Sequence, residues 1–512
     1  FSQRIAGVLL PVSALPGEHP CGGLGRDARR FLHALAETGA TVWQVLPLGP
    51  TRAAEGHSPY SARCTFSLAT DLVTDGDLED FIQRPAAEDP TPSPADSMRT
   101  RHDDVYAADR DHARRSSADA LASTLARFQR SPERVAAWRA FCERERSWLL
   151  DAARFDALST ASKGNPWWTW DPAVRTRDHD ALAAVDSQFA ASIERYTFGQ
   201  FVAHEIWAQT RAFANARGLR IMGDLPIYVH ADGPDVWTQP ELFDVDPQAG
   251  PTHFAGVPPD AFSATGQLWR NPTYRWAASA ATDHAWWRRR VARHMELYDD
   301  LRLDHFRGFS AFWRVPATAN DASSGAWTPG PSDALLRPII DTFGADRFVA
   351  EDLGVIDAPV EALQASLGLA GTRVLQFAAE SDSHRHVPNN WPARCVAYTG
   401  THDNPTLSAW IEGLDDETRA LLAQRLGVDV DTCDHDRLLA QTLDSPASIV
   451  VIPVADLLSL GPEGRINTPG VEAGNWRLRL RDDQIDRALS EVLAPALSRH
   501  DRGRCSPTPA SP

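Results

Sequence analysis

The chain has one lysine (Lys163), three methionines and six cysteines in 512 residues, and it contains no apolar run long enough to cross a bilayer. Each shortage excludes something. The cysteines, Cys21, Cys64, Cys142, Cys395, Cys433 and Cys505, are scattered without a C-x-x-C pair. They imply neither a zinc site nor a disulfide scaffold, and a reducing, cytoplasmic setting is expected. Positive charge is also in deficit: 51 Lys and Arg against 68 Asp and Glu leave a formal charge of -17. That balance opposes binding to phosphate backbones or anionic lipid, so no nucleic acid and no membrane partner is expected, and a neutral or cationic ligand fits better. The apolar run Ile5 to Leu10 is too short for a signal-peptide core or a membrane span.

With 43% hydrophobic residues there is material for a large core. Short apolar runs that end in Gly, Pro, Asp or His recur along the chain. They are Ile5 to Leu15, Thr41 to Gly49, Leu219 to Val229, Leu301 to Phe309, Arg347 to Gly354, Thr372 to Ala378, Arg394 to Asn404 and Ser448 to Leu458. Between the first two lies a helical stretch from Asp27 to Thr38, and strand, helix, strand at this spacing means a parallel pair. Eight strands with helix-length spacers predict an α/β protein, a (β/α)8 TIM barrel spanning 1–498. Large, mainly helical insertions are expected after the second and third strands. Residues 50–218 are too long for a loop and read as an inserted helical subdomain walling a cleft, and 230–298 reads as a second excursion. Residues 499–512, rich in Pro, Ser and Arg, are expected to be disordered.

The stretch Leu301 to Phe309 organises the chemistry. Side chains alternate along a strand, so Arg302 and Asp304 share a face opposite Leu301 and Leu303. Acids then stand at the C-terminal ends of four strands: Asp224, Asp304, Glu351 and Asp403. In parallel barrels these ends converge on one mouth. Several carboxylates with little cationic compensation suit the cleavage of a glycosidic bond, whose transition state is cationic. Asp304, paired with Arg302, should stay ionised and attack; Glu351, after the apolar run Phe348–Ala350, should have a raised pKa and protonate the leaving oxygen. Asp403 beside His402 would hold sugar hydroxyls. A retaining enzyme of this kind places its two carboxyl groups about 5–5.5 Å apart. The plainer alternatives are a buried structural ion pair for Arg302 and Asp304, and a solvated loop or helix cap for Glu351 and Asp352. A metal at His402 and Asp403 lacks any accompanying ligand spacing, and no metal is expected. Tyr60, Trp269 and Phe377 stand beside these motifs and could stack on pyranose rings. Trp167, Trp168 and Trp170 read rather as packing.

WQVLPLGPT, SPYSA, GDLPIYV, DVWTQPELF, GVPPDAFSATGQLW, RLDHFRGF, AEDLG and YTGTHDN, in that order, resemble the 4-α-glucanotransferases of the amylomaltase or disproportionating-enzyme type, from about Arg4 to Leu480. The resemblance implies transfer of α-1,4-glucan segments between maltooligosaccharides by a retaining double displacement, without cofactor or essential metal. Asp304 would be the nucleophile, Glu351 the acid/base and Asp403 the transition-state stabiliser. It implies substrate contacts from Tyr60, Asp224, Asp260, Gln267, Trp269, Arg302, Phe377, His402 and Asn475. It also implies a loop at 256–271 overhanging the active site. The chain departs from the family pattern at 52–57 and 61–67, at Ala261, where an aromatic is usual, and at Arg270, where glycine is usual. These positions bear on acceptor binding, so hydrolysis of α-1,4-glucans is the rival activity, and an inactive glucan-binding protein a remote one. A monomer and a homodimer are equally compatible with the acidic surface.

Overall fold

The computed structural model describes residues 3–83, 107–259, 263–380, 384–471 and 473–503. Eight parallel strands close into a barrel in chain order: β1 (Ile5–Leu9), β2 (Val42–Gln44), β3 (Arg220–Leu225), β4 (Asp300–Leu303), β5 (Phe348–Ala350), β6 (Ala370–Val374), β7 (Cys395–Tyr398) and β8 (Ile449–Pro453), with β8 pairing back onto β1. Each overlaps an apolar run identified above and is shorter; β4 begins one residue, and β6 two residues, before its run. Asp224 is the penultimate residue of β3, and Asp304 and Glu351 directly follow β4 and β5. Almost every strand residue is buried, because side chains on one face fill the barrel and those on the other pack under helices. The helix Arg26–Glu37 shows the second layer: it buries Phe31, Leu32 and Leu35. Its first N–H, at Arg26, donates to Asp77 Oδ1 at 2.6 Å.

The insertion after β2 is helical, with helices at Arg110–Phe128, Pro132–Arg144 and Leu149–Ala161 leading to the long Ala190–Ala216, which returns the chain to β3. Trp167 is fully buried and Trp170 nearly so, which agrees with a packing role. The excursion after β3 is mixed. Its strands His253–Val257 and Gln267–Pro272 join Ala311–Pro316 and Ala326–Pro329, from the segment after β4, in a four-stranded antiparallel sheet. The pairing of the first two strands shifts register between Phe254 and Gly256. Opposite that shift Arg270 has φ +61°, a left-handed conformation that glycine adopts without a steric penalty.

Two expectations need correcting. Among the described residues the spacer between β6 and β7 contains only 3₁₀ turns, Leu375–Ala379, His384–His386 and Pro388–Asn390, since Pro388 and Pro392 interrupt any helix there. The segment 499–512 is not disordered throughout. The helix Ala494–Arg499 runs into it, and the Arg502 guanidinium, 2% exposed, donates to the carbonyls of Ser445 and Ala447 beneath the barrel. Those buried carbonyls need donors, and an arginine supplies several. The rest of that segment, from Arg504, lies outside the described residues.

Candidate active site

The register of three adjacent strands builds the centre of the site. Asp224 on β3 lies beside Arg302 on β4, and Val349 on β5 flanks Arg302 on the other side. Cross-strand neighbours share a face, so Asp224 and Arg302 both point into the barrel. Arg302 Nη1 donates to Asp224 Oδ1 and Oδ2 at 2.9 and 2.8 Å, and to Asp304 Oδ1 at 2.9 Å. Asp224 is wholly buried and Arg302 is 4% exposed, whereas the Asp304 side chain is 23% exposed and reaches the mouth. Burial alone would lower the Arg302 pKa, but the carboxylates of Asp224 and Asp304 outweigh it and raise it well above its ordinary range. The charge is permanent, and it leaves Asp304 Oδ2 free.

Asp304 lies just past β4, its N–H held by Leu225 O at 3.2 Å. His305 then takes φ +47°, a turn that aims its N–H at Glu351 Oε2, 2.8 Å away. Leu353 N donates to Oε1 at 3.2 Å, and Phe306 N to the Glu351 carbonyl at 3.2 Å. The turn after β4 is thus bonded to Glu351, at the end of β5, through His305 and Phe306, the two residues that follow Asp304. Burial is the largest influence on Glu351. It overcomes the pull of Arg302, is reinforced by the charge of Asp304, and pushes the carboxyl up to about 8. His305 is pushed down to about 4, chiefly by burial, so its ring is neutral.

Across the mouth, His402 Nε2 stands 3.4 Å from Asp403 Oδ2. Asn467 Nδ2 donates to Asp403 Oδ1 at 2.6 Å, and Arg465 to the Asp403 carbonyl at 3.2 Å. The Asp403 side chain is 43% exposed and projects into the cleft. Tyr60 ties the two sides together. Its hydroxyl donates to Asp224 Oδ2 at 2.8 Å, and its ring stacks on His402 with centroids 5.1 Å apart.

The residues named from the sequence are placed as follows. Asp224, Arg302, Asp304, Glu351, Tyr60, His402 and Asp403 form one connected set. Trp269 stands edge-on to His305, with centroids 4.8 Å apart, and its Nε1 donates to Gln267 at 3.1 Å. That contact brings the strand Gln267–Pro272 to the site. Phe377, half-buried after β6, packs against His386. Asn475 is spent on its own loop: its amide bonds Thr468 N, Thr468 O and Val471 O. Asp260 and Ala261 lie outside the described residues. Sequence reasoning missed Trp476, which packs on both Tyr60 and His402, at 5.8 and 6.0 Å. It also missed Asn467, and the buried Tyr398 to Gln44 hydrogen bond of 2.8 Å between β7 and β2. None of these belongs to a recognisable pattern, although Trp476 adjoins Asn475. Among the described residues no group of three or more His, Cys, Asp or Glu could hold a metal ion, and no helix is long and apolar enough to cross a membrane.

The class is that of a closed parallel barrel with a carboxylate-lined mouth, one carboxylate clamped by arginine and one carboxyl pushed up by burial. A family model for 4-alpha-glucanotransferase matches residues 10–485. The 4-alpha-glucanotransferase of Thermus thermophilus is 39% identical over 494 residues, covering 94% of this chain and 96% of that one. That of Aquifex aeolicus is 36% identical over 493 residues, again covering 94% and 96%. The structure of an amylomaltase from Streptococcus agalactiae in complex with acarbose superposes with a TM-score of 0.88 at 30% identity, covering 98% of this chain and 100% of that one. The chain belongs to the 4-alpha-glucanotransferase family.

Proposed function

We propose that the protein transfers α-1,4-glucan segments between maltooligosaccharides, with Asp304 and Glu351 as nucleophile and acid/base of a retaining double displacement. Asp304 Oδ2 attacks the anomeric carbon of the donor while the Glu351 proton passes to the departing O4, leaving a glycosyl ester on Asp304. Glu351, now ionised, takes the proton from the 4-hydroxyl of an acceptor glucan, whose oxygen displaces Asp304 and restores both groups. Asp403, held by Asn467 and His402, binds hydroxyls of the reacting ring as it flattens. Tyr60 and His402 line the same subsite. Gln267 and Trp269 border the acceptor side, and Asp224 serves through Arg302. The observation that carries this assignment is the different setting of two carboxyls at the ends of neighbouring strands: Arg302 clamps Asp304 with a 2.9 Å ion pair, while burial pushes the Glu351 carboxyl up to about 8. The structure in complex with acarbose, an oligosaccharide-like ligand, belongs to a relative with the same fold and supports a glucan in this cleft.

Hydrolysis is the second reading, because water at about 55 M outnumbers a 10 mM sugar acceptor several thousandfold. Transfer must therefore overcome roughly 5 kcal/mol through acceptor positioning and water exclusion. Arg270, in a left-handed conformation beside Trp269, is the observation that favours some leakage to water. Incubation with maltotriose alone separates the two. A ladder of longer oligosaccharides plus glucose with constant reducing ends marks transfer; rising reducing ends with only shorter products mark hydrolysis and overturn the proposal.

A further inference from the structure

Five large apolar side chains are exposed among the described residues: Leu150, Trp327, Val355, Val430 and Val471. Trp327, 41% exposed, is the one aromatic. It lies on Ala326–Pro329, an outer strand of the four-stranded sheet. An exposed tryptophan is commonly a loose one, but this ring is held from two sides. Its cross-strand partner Trp313 meets it at 69°, with centroids 5.2 Å apart. Trp313 is itself pinned by a 2.8 Å bond from its Nε1 to Ala322 O. The Arg307 guanidinium lies 3.8 Å from the Trp327 ring centroid. Arg307 is only 6% exposed and is locked by Asp357 at 2.7 Å and by the Val355 carbonyl at 3.5 Å.

Those anchors tie the ring to the reacting groups. Arg307 is three residues beyond Asp304, in the same turn. Val355 and Asp357 belong to the loop that leaves Glu351, and Val355 is itself 64% exposed. An indole face fixed to the two loops that carry the carboxylates, at the C-terminal rim of the barrel, extends the cleft outward. We propose that Trp327 is an outer glucan-binding platform, on which a glucosyl ring remote from the bond being broken stacks when the α-1,4-glucan is long. The inference rests on the reading of the carboxylates as a glucan-transfer site. Three observations select this occupant. The ring is pre-organised, so stacking costs little side-chain entropy. Beside it Asp357, with a side chain 46% exposed, offers an acceptor for sugar hydroxyls next to a flat apolar ring. The exposed apolar area, one indole and one valine, matches a single pyranose and falls far short of the roughly 800 Å² per partner of a stable protein interface.

The test compares kcat/KM for maltoheptaose with kcat/KM for maltotriose in wild type, Trp327→Ala and Trp327→Phe, with melting temperatures measured alongside. The platform requires the heptaose-to-triose ratio to fall about fivefold in Trp327→Ala, about 1 kcal/mol at 1.4 kcal/mol per tenfold, and to stay within twofold in Trp327→Phe. A ratio unchanged in Trp327→Ala overturns the proposal. That holds whether both rates persist or both drop together, the second marking Trp327 as a prop for Arg307 only. A ratio that falls equally in Trp327→Phe overturns the stacking mode. Failure of the wild type to turn over maltotriose at all would defeat the transfer reading itself, and the platform with it, before any variant is compared.

Discussion

Raising the pH from 7 to 9 removes the proton that Glu351 must give. With the carboxyl pushed up to about 8, its protonated fraction falls from about nine-tenths to about one-tenth. The kcat/KM for maltotriose should therefore drop roughly tenfold, approaching a slope of -1 against pH. At the ordinary glutamate value of 4.5, only about 0.3% of the enzyme would carry the proton at pH 7, so burial is worth roughly 300-fold in active enzyme. Glu351→Gln removes the proton at every pH. It should lower turnover of maltotriose by about 10²–10⁴-fold and abolish the alkaline limb. α-Maltosyl fluoride needs no proton to depart and should still glycosylate Asp304 in that variant. Stability gives an independent readout with a defined sign. The folded value lies above the ordinary one, so the contribution of neutral Glu351 is complete below about pH 4.5 and is lost as the pH rises toward 8. The uncharged Gln variant should accordingly melt above wild type at pH 9. The gap between 4.5 and 8 sets an upper bound of roughly 5 kcal/mol, and partial contact of Glu351 with solvent reduces it to about 2. A kcat/KM flat from pH 7 to 9, or a limb centred near pH 5, would refute the assignment of the acid.

Arg302→Met strands the wholly buried Asp224 without its cation and should cost about 3–5 kcal/mol of stability by denaturant titration. Transfer should also fall more than a hundredfold, since Asp304 loses the clamp that aims it; a variant of near wild-type stability would show that Asp224 is neutral in the fold. Trp476→Ala removes the ring packed on Tyr60 and His402 and should lower kcat for maltotriose about tenfold, with a smaller change in the melting temperature than Arg302→Met. An unchanged kcat would reduce Trp476 to filler. Arg270→Gly relieves a left-handed arginine and should stabilise by about 0.5–1 kcal/mol, against a further loss in Arg270→Val. A destabilised glycine variant would mean that the arginine side chain is held by contacts of its own.

The barrel was legible because its signals are local. Each strand lies in or beside a short apolar run, such as Ile449–Pro453, which is buried throughout. Strand alternation alone placed Arg302 and Asp304 on one face, and the structure joins them at 2.9 Å. The fate of Glu351 was also readable, since an acid directly after Phe348–Ala350 is carried into the core by its own strand. The sheet built from segments after β3 and β4 was not legible. Its strands Gln267–Pro272 and Ala326–Pro329 carry no clean alternation, each pairs within a local hairpin, and what joins the two hairpins is the pairing of His253–Gly256 with Trp313–Pro316, 57 to 63 residues apart in the chain. The missing helix before β7 was a matter of punctuation by Pro388 and Pro392, overlooked in favour of regular barrel spacing.

What the sequence could not disclose is how the two sides of the mouth are held to one another, and the reason is physical. Asp224 and Asp403 stand 179 positions apart in the chain, and no period or spacing relates them. Their relation depends on Tyr60, delivered by a 3₁₀ turn of the insertion after β2, whose hydroxyl bonds one acid while its ring stacks on the histidine beside the other. A resemblance could name Tyr60 as a substrate contact, but only the packed structure gives it this second office. The same holds for Trp476. Its φ of +61° is costly for a bulky side chain and persists because the surrounding contacts fix it. Residues that bridge rather than react leave their trace in geometry. The carboxylates proposed to react stand at strand ends, and they leave theirs in the sequence.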